Sequence, residues 1–313
     1  MKKYELTSET KTGRLGQTLY RIKSCISFVT VSGYEVKKGD FGGWVEKEDN
    51  LSQDGKAWIR DNAEVSDNAE VCGDAEVYGK AEICDSAVVY GNATVFENAS
   101  VFDDAEVYGN AEVYGNAEIY GGAGVYGNAE IYGNAEVYGN AEIYSSAKIF
   151  ENAIVCSSAG IFGNARVSGN TEVFDDATVF GNAEIYGNVE IYGNAEIYGN
   201  AEIYGSAKIF ENAEVCGDAV VCGNAVISKE AYISSPEHLM CVSPVPINGQ
   251  PASLTLFRTK ECELSIQFDR EDTKTIDEFK AFIDTFVEMS DRLALITIVE
   301  LGKRCIDLTP QKN

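Results

Sequence analysis

The chain has few basic residues and almost no histidine. Its 313 residues include 25 Lys and Arg against 50 Asp and Glu, a formal charge of −25, and one histidine, His238. Binding to nucleic acid or to an anionic membrane needs basic patches that neutralise phosphates. The nine cysteines form no CxxC pair, and a zinc site would need several Cys or His ligands. We therefore expect no direct contact with nucleic acid or membrane, no metal and no other cofactor.

Long apolar segments are also missing. No run approaches the roughly 18 residues of a membrane span, and residues 1–6 carry charge without the apolar core of a secretory signal. The cysteines are odd in number, and five of them share one repeat position that aromatic residues usually fill. This pattern is typical of free thiols that serve as small hydrophobic side chains in a reducing compartment. The sequence thus predicts a cytoplasmic protein.

What fills most of the chain is a six-residue repeat. Every sixth residue from 57 to 231 is alanine at 28 of 30 positions, the exceptions being Thr171 and Val189. The residue two positions further on is Val or Ile in all 30 units, and no insertion breaks the phase. The unit reads Ala-Glu-(Val/Ile)-Tyr-Gly-Asn. Alternation over its first four residues predicts a short strand with Ala and Val or Ile facing inward and Glu outward.

Glycine and asparagine close each unit. Asn fills 18 of the 29 last positions, and because it tolerates a left-handed backbone, we expect it to take that conformation at a corner. One strand and one corner per six residues close a triangle every 18 residues, so the repeats predict about ten coils of a parallel β-helix. An aromatic residue follows Val or Ile in 20 of 30 units. We expect three corner ladders of stacked rings, Tyr78 to Tyr204, Phe102 to Phe210 and Tyr90 to Tyr198.

These residues resemble the hexapeptide-repeat family, in which an aliphatic residue is followed four positions later by a small one, as Val77 is by Ala81. The resemblance implies that the β-helix is left-handed. Residues 38–52, KGDFGGWVEKEDNLS, are similar to a segment that precedes the repeats in a group of bacterial and phage proteins. Members are often labelled acyltransferases or polymer-forming proteins, without a firmly assigned activity. The present chain departs from the family pattern in its aromatic position, which the family often fills with Gly, Ala, Asp or Glu.

The sequence divides into an N-terminal cap (1–56), a β-helix (57–234) and a C-terminal cap (235–313). Strands are expected over 18–26, 34–37, 253–258 and 264–268. Residues 39–43 are expected to form a capping turn, with a phosphate-binding loop as the alternative. Thr275 and Glu278 form a capping box that predicts a helix. A second helix is expected over 291–308, with a strand at 296–299 as the alternative. The predicted class is all-β, a left-handed parallel β-helix with a small β-rich N-terminal cap and a small α+β C-terminal domain.

Glutamate fills the outward position after alanine in 16 of 30 units, which builds three acidic walls. Residues 57–234 hold 29 acids and 6 bases. One interpretation is a solvated surface that resists aggregation, and the other is a polyanionic rod that imitates nucleic acid or gathers cations. Stacked like charges cost stability, which favours the second. The candidate binding residues are Glu76, Glu112, Glu130, Glu184 and Glu202 on the first wall and Glu64, Glu82, Glu118, Glu136, Glu172 and Glu190 on the second; the third carries Glu70, Glu106, Glu142, Glu196 and Glu214.

The resemblance also implies activities that can be weighed against the residues. Hexapeptide acyltransferases use a catalytic histidine and commonly a loop ejected from the coil, and the zinc hydratases need three histidines. The repeats contain neither a histidine nor a loop, and His238 follows the last coil. We therefore expect no catalytic residue, and a scaffold or interaction module for a basic protein partner, compatible with a phage or prophage origin. The alternative is a DNA-mimicking inhibitor of a host nucleic-acid-binding or defence protein, and an acyl-CoA transferase ranks third. Homo-oligomerisation is left open.

Overall fold

The computed structural model describes residues 2–14, 16–268 and 273–309, without the side chain of Pro246. It divides into two compact units, Met1–Gly163 and Asn164–Asn313. Counted over both units, the repeats form about 11 turns of a parallel β-solenoid. The predicted fold class, a parallel β-helix with N-terminal strands and a small α+β C-terminal region, is confirmed.

In the first unit, each repeat contributes one two-residue strand made of the outward residue and the following Val or Ile. A strand pairs in parallel with the strands 18 residues before and after it, so that Glu82–Ile83 lies between Glu64–Val65 and Ser100–Val101. Backbone bonds join successive coils, as when Glu64 N donates to Ala81 O at 2.9 Å. The register therefore stacks every third repeat into one wall of the solenoid.

The strands of the first unit fall into these three walls. The first wall contains Trp58–Ile59, Glu76–Val77, Thr94–Val95, Glu112–Val113, Glu130–Ile131 and Lys148–Ile149. The second wall contains Glu64–Val65, Glu82–Ile83, Ser100–Val101, Glu118–Ile119, Glu136–Val137 and Ile154–Val155. The third wall contains Glu70–Val71, Val88–Val89, Glu106–Val107, Gly124–Val125, Glu142–Ile143 and Gly160–Ile161.

The core consists of the two inward positions of each repeat. Ala135 and Val137 are fully buried, as are their counterparts along both units. Small alanines let the three walls approach one another, while the β-branched residues fill the interior and favour the extended backbone. Where Thr171 replaces alanine, its Oγ1 donates to Ser168 O at 2.7 Å, so the buried hydroxyl has a partner.

The corners differ from the expectation about asparagine. The left-handed conformation belongs to the fifth residue of each unit, before the position that Asn usually fills, with φ of 75° at Gly109 and 56° at Asp103. No corner asparagine in the described ranges has a positive φ. Asparagine instead builds a ladder between coils. Asn92 N donates to Gly109 O at 2.7 Å, and Asn92 Nδ2 donates to Asn110 Oδ1 at 3.0 Å. A primary amide suits this place because it donates and accepts at once.

Residues before the repeats close the first coil. Their strands are Tyr4–Thr12, Thr18–Ser24, Phe28–Val29, Glu35–Val36 and Phe41–Val45, followed by the 3-10 helix Glu48–Asn50. Tyr4–Thr12 and Thr18–Ser24 form an antiparallel hairpin, and Thr18–Ser24 also pairs with Phe41–Val45. Phe41–Val45 in turn pairs in parallel with Glu64–Val65. Phe41–Val45 therefore covers the open edge of the second wall, which would otherwise invite association, and the hairpin extends the sheet beyond it.

The glycine-rich segment was expected to be a capping turn, and most of it is a strand. Gly39 lies in a turn with φ of 97°, whereas Gly42 and Gly43 are buried in Phe41–Val45. A Cβ added at Gly42 would lie 2.6 Å from both Ile22 Cγ1 and Ile59 O. The second and third glycines of the segment are thus explained by close packing against the hairpin and the first coil.

The second unit repeats the coil arrangement and adds the C-terminal sheet. Its coil strands also form three walls, which contain Arg166–Val167, Glu184–Ile185, Glu202–Ile203 and Val220–Val221; Glu172–Val173, Glu190–Ile191, Lys208–Ile209 and Val226–Ile227; and Thr178–Val179, Glu196–Ile197, Glu214–Val215 and Tyr232–Ile233. The 3-10 helix Pro236–His238 follows the last coil. Ala231 then makes an antiparallel bridge with Thr259 of the C-terminal sheet, so that sheet covers the end of the coils.

The C-terminal region is an antiparallel sheet with two helices, α1 (Ile276–Phe286) and α2 (Met289–Cys305). Its core includes Leu254, Ile266 and Phe279. The capping box is confirmed, since Thr275 N donates to Glu278 Oε2 at 2.8 Å. Residues 296–299 lie within α2, so the strand alternative for them is wrong. The sheet strands are Leu239–Ile247, Gln250–Arg258, Leu264–Phe268 and Lys274–Thr275.

Candidate acidic interaction surface

The glutamates expected at the outward position lie on the walls that the sequence predicted for them. Along each wall, no more than two glutamates follow one another in adjacent coils of the described pairings. The outward residues Ser100, Lys148 and Ile154 interrupt the rows of the first unit. In the described pairings, a glutamate therefore has at most one glutamate directly above or below it, which limits the repulsion. The directly opposed pairs are Glu64 with Glu82, Glu118 with Glu136, Glu112 with Glu130, Glu172 with Glu190, Glu184 with Glu202, and Glu196 with Glu214.

Basic side chains neutralise part of each unit's acid. Lys148 Nζ lies 2.7 Å from Glu130 Oε1 in the first unit, and Lys208 pairs with Glu190 in the second. Each of these lysines occupies the outward position of the coil that follows its glutamate. Because both partners are partly exposed, each pair adds little to stability. The walls are therefore patterned surfaces with acidic patches, and not uniform sheets of charge.

One candidate residue is not available for binding. Glu76 was expected on an exposed wall, but it is only 1% exposed. Its Oε1 accepts from Ser32 N at 2.6 Å and its Oε2 from Ser32 Oγ at 2.8 Å. The segment between Phe28–Val29 and Glu35–Val36 folds over the first wall at this point, so Glu76 anchors the N-terminal segment. Sequence reasoning missed this because residues 27–34 lie outside the repeat phase.

The tip of the N-terminal hairpin lies over the second wall. Lys11 Nζ is 2.6 Å from Glu64 Oε1, and Arg14 Nη1 is 3.2 Å from Glu82 Oε2. A cleft of about 250 Å³ opens between this tip and the wall. Its lining combines carboxylates and hydroxyls with an apolar floor, and comprises Arg14, Gln17, Glu64, Ser66, Glu82, Ile83, Cys84, Asp85, Ser100, Phe102 and Glu118. We call this space the hairpin cleft.

Rings at the corners stack between coils, as the sequence predicted. In the first unit, Tyr90 and Tyr108 have centroids 4.7 Å apart and planes 7° apart, and the ladder continues through Tyr126. Arg60 ends another ladder, with its guanidinium 3.7 Å from the ring centre of Tyr78 and 4.6 Å from that of Tyr34. The stacked spacing fixes the distance between coils and stiffens the walls that carry the glutamates.

Tyrosine hydroxyls join these ladders to the acidic walls. The hydroxyl of Tyr126 donates to Glu142 Oε2 at 3.2 Å, across one coil. Burial in the ladder, reinforced by the neighbouring carboxylate, raises the pKa of Tyr90, Tyr114 and Tyr126 to about 12. Each bond holds its glutamate in place on the wall. The same bond joins Tyr90 to Glu106, Tyr120 to Glu136, Tyr186 to Glu202 and Tyr198 to Glu214.

Acidic residues at the corners have a structural role. At five corners in the described ranges where the left-handed residue is Asp or Glu, its carboxylate accepts a backbone N–H one coil further on. Glu97 Oε2 accepts from Gly115 N at 3.0 Å, and Asp103 Oδ2 from Gly121 N at 3.1 Å. Part of the chain's negative charge therefore satisfies corner N–H groups. This part is independent of any partner.

The nine cysteines are free thiols, and the corner cysteines take the place of rings. Cys84 lines the hairpin cleft, where burial, with the adjacent Asp85 carboxylate adding to it, raises the pKa of its thiol to about 12. Such a thiol is a poor nucleophile at neutral pH, because the thiolate is the reactive form. Cys84 therefore serves the cleft as a small apolar surface.

His238, the residue considered for catalysis, is buried beyond the last coil. Its Nδ1 lies 3.1 Å from Ser234 N, which donates to it, and burial lowers the pKa of the imidazole. In this setting the ring acts as a neutral acceptor for the turn that ends the solenoid. Across residues 2–14, 16–268 and 273–309, no group of three His, Cys, Asp or Glu side chains is placed to hold a metal ion. The same residues contain no helix with the length and apolarity to cross a membrane.

No protein-family model and no curated protein matches the chain. The description of the surface therefore rests on its own geometry, namely a parallel β-solenoid with a coil every 18 residues and acidic pairs on its walls.

Proposed function

We propose that this chain is a non-catalytic acidic interaction module that binds a basic protein in the cytoplasm. The main support for this proposal is the array of outward glutamates on a stiff frame of stacked rings and amide ladders. Carboxylates held by tyrosine hydroxyls lose little side-chain freedom when a partner binds, so the entropic cost of association is reduced. The nine free thiols support the cytoplasmic location.

The hairpin cleft is the proposed anchoring point. Glu64, Glu82 and Glu118 surround an apolar floor formed by Cys84 and Phe102. A lysine or arginine side chain suits such a cleft, because its alkyl stem packs on the floor while its charge meets the carboxylates. Arg14 already occupies one edge through Glu82. A partner side chain would replace it or bind beside it.

We also propose that the chain is a left-handed hexapeptide-repeat protein related to the bacterial and phage group. Coils of three six-residue units support the first part. The relation to the bacterial and phage group is supported by residues 38–52, the segment similar to theirs, which has a definite structural role in this chain. Gly42 and Gly43 permit close packing, and Trp44 and Val45 pair with Glu64 and Val65, the first coil strand of the second wall. The segment therefore starts the coil stack.

A DNA-mimicking inhibitor is the second candidate, and charge density favours it. Residues 57–163 hold 18 Asp and Glu against 3 Lys and Arg, a formal charge of −15 over about six coils. With a coil rise of about 4.8 Å, this is roughly 2.5 charges per coil. Duplex DNA carries one charge per about 1.7 Å, or roughly 2.8 over the same length. A protein that binds DNA mainly through phosphates would meet a similar field.

The test begins with basic proteins captured on the wild-type chain and eluted by salt. For each captured protein, affinity is measured against salt for the wild type and for a variant with Glu→Gln at all six second-wall positions. We expect the variant to bind at least about tenfold more weakly and with a flatter salt dependence. A matched control carries five changes on the third wall, at Glu70, Glu106, Glu142, Glu196 and Glu214.

Four outcomes separate the proposals. Loss confined to the second-wall variant supports the hairpin cleft and its wall, whereas equal loss for both walls supports a general polyanion. Competition between duplex DNA and this chain for the captured protein supports the mimic over the scaffold. Unchanged affinity in both variants, with unchanged melting temperatures, would exclude the acidic walls and leave the terminal regions as the binding parts.

A further inference from the structure

Arg258 is a buried arginine whose guanidinium is only partly used. It ends the strand Gln250–Arg258, is 2% exposed, and its Nε and Nη1 have no hydrogen-bond partner among the residues that the structure describes. Its Nη2 donates to two atoms, Cys262 Sγ at 3.0 Å and Thr309 O at 3.2 Å. A buried charge is costly unless it is paired and hydrogen-bonded. This guanidinium therefore has an unused capacity to hold negative charge.

The thiol of Cys262 is the group in contact with Arg258 that can become negative. Cys262 lies in the turn that follows the strand of Arg258, and its side chain is partly exposed. The nearby carboxylate of Asp307 accepts hydrogen bonds from Thr309, which lower the pKa of Asp307 more than Arg258 does. Solvent-accessible cysteines beside arginine are the setting of reactive thiolates in proteins. Cys262 has both features.

We propose that Cys262 is a redox-reactive thiol whose oxidised form is held by Arg258. The oxidant is hydrogen peroxide, an uncharged molecule that a chain of charge −25 does not repel. The thiolate attacks one oxygen of the peroxide, so an S–O bond forms and the O–O bond breaks. Sulfur loses two electrons to the peroxide, whose second oxygen leaves as hydroxide and takes the proton of the sulfenic acid to give water. The product is a sulfenate, a reversible state of cysteine.

The free N–H groups of Arg258 give this product a binding site. The new oxygen carries the negative charge and is bonded to an atom that Nη2 already contacts. Nη1 belongs to the same planar fork, which suits an oxyanion because it offers several donors in a fixed arrangement. The buried donors that lack a partner in the reduced chain are therefore available to the sulfenate oxygen.

Other thiols of the chain separate the effect of Arg258 from that of access. Cys216 feels the charge of Arg258 as well, but it is 3% exposed, and burial raises the pKa of its thiol. Cys305 is exposed near the end of α2, so access alone would make it the more reactive thiol. Cys262 combines partial exposure with a direct contact to the guanidinium.

The first test compares these thiols within the wild-type chain. The reduced protein is treated with hydrogen peroxide, sulfenic acid is trapped with dimedone, and the label at each cysteine is measured over time by mass spectrometry. We expect Cys262 to be labelled at least about tenfold faster than Cys305, with Cys216 slower still. Labelling of Cys305 ahead of Cys262 would overturn the proposal, and this result does not depend on any variant being folded.

The second test removes the guanidinium. In Arg258→Met, we expect the label at Cys262 to form about tenfold more slowly or less. The matched control is Arg304→Met, which removes an exposed guanidinium beside Cys305 and should leave the rate at Cys262 unchanged. Circular dichroism and melting establish that both variants are folded. A folded Arg258→Met chain that is oxidised at Cys262 as fast as the wild type would overturn the role of Arg258.

A third variant tests whether Arg258 holds the oxidised sulfur. Arg258→Lys keeps the positive charge but not the planar fork. When dimedone is added only after the peroxide has been removed, the wild type should retain more sulfenate at Cys262 than Arg258→Lys does at the same delay. Equal retention in the two chains would contradict the binding of the sulfenate by the fork.

Discussion

At each corner of the solenoid one residue holds a left-handed backbone, and at eleven corners this residue is Asp, Glu, Ser or Lys instead of glycine. A side chain in that conformation costs roughly 1–2 kcal/mol. At Asp103 the cost is offset by the bond from Gly121 N to its carboxylate. An acidic residue such as Asp103 therefore adds backbone strain at the corner, and the hydrogen bond that its carboxylate accepts from a backbone N–H offsets this strain.

Because of this compensation, we expect Asp103→Gly to be more stable than Asp103→Ala, the reverse of the usual order of glycine and alanine. Asp103→Ala keeps the positive φ and loses the bond to Gly121 N, so the free energy of unfolding should fall by about 1–2 kcal/mol. Asp103→Gly loses the same bond but relieves the strain, and should be the more stable of the two variants. Urea unfolding gives the comparison. An Ala variant at least as stable as the Gly variant would contradict the left-handed assignment, because alanine is otherwise the better residue.

The inward alanine is the second residue whose size is decisive. Ala135 is fully buried, and Ala135→Leu should overpack the coil and lower the free energy of unfolding by roughly 1–3 kcal/mol. Ala135→Ser should be mild, because a hydroxyl there can donate to the carbonyl three residues earlier, as Thr171 does to Ser168. Thermal melting of both variants is the measurement. Equal melting temperatures of the two variants would show that position 135 accepts a larger side chain and that the small size of alanine is not required there.

The ladder of Tyr90, Tyr108, Tyr126 and Tyr144 should make the stability of the fold sensitive to alkali. The pKa of Tyr90 and Tyr126 is raised to about 12 in the folded chain, above the ordinary value of 10. An ionisable group with a raised folded pKa gives stability that is full below the unfolded pKa. That stability is lost as pH rises through the folded pKa. We therefore expect the melting temperature to fall between pH 10 and pH 12.

The natural phenylalanines of the ladders supply the control for this element. Phe96 stacks between Tyr78 and Tyr114 just as tyrosine does, so Tyr126→Phe should keep the ring contact. The variant should lose less stability than the wild type over the alkaline range, because one titrating group is removed. Melting curves at neutral and alkaline pH measure the difference. Equal alkaline losses would indicate that the ladder tyrosines ionise freely in the folded chain.

The elements also show which kind of structure the sequence predicted. Coil strands, walls and ring ladders followed from a strict six-residue period, because each unit repeats the same local interactions. The strand Phe41–Val45, the cover of Ser32 over Glu76 and the hairpin cleft could not be predicted, since they depend on contacts between non-periodic residues and a coil distant in sequence. The 18-residue recurrence of asparagine was a usable signal for the amide ladder. The recurrence was interpreted as a preference for the left-handed backbone, because asparagine suits both a left-handed corner and an amide ladder.

At the scale of the whole molecule, the dominant electrostatic quantity is the net charge. The chain carries 50 acids, and many of the carboxylates that leave it at −25 lie on the walls and corners of the same coils. Ion pairs such as Lys148 with Glu130 oppose this repulsion at a few places only, and exposed pairs are individually weak. Repulsion should therefore outweigh attraction in the response of stability to salt.

The resulting prediction is that added salt stabilises the fold while weakening its binding to a basic partner. Between about 0.01 M and 1 M NaCl the Debye length falls from roughly 30 Å to 3 Å, which screens the repulsion between walls. We expect the melting temperature to rise by several degrees for the wild type, and by less for the six-fold second-wall Glu→Gln variant, from which six charges have been removed. Sodium chloride is the right probe, because sulfate would also strengthen apolar burial. A melting temperature that falls with salt would mean that the ion pairs outweigh the repulsion, and the acidic walls would then have to be regarded as internally balanced instead of available to a partner.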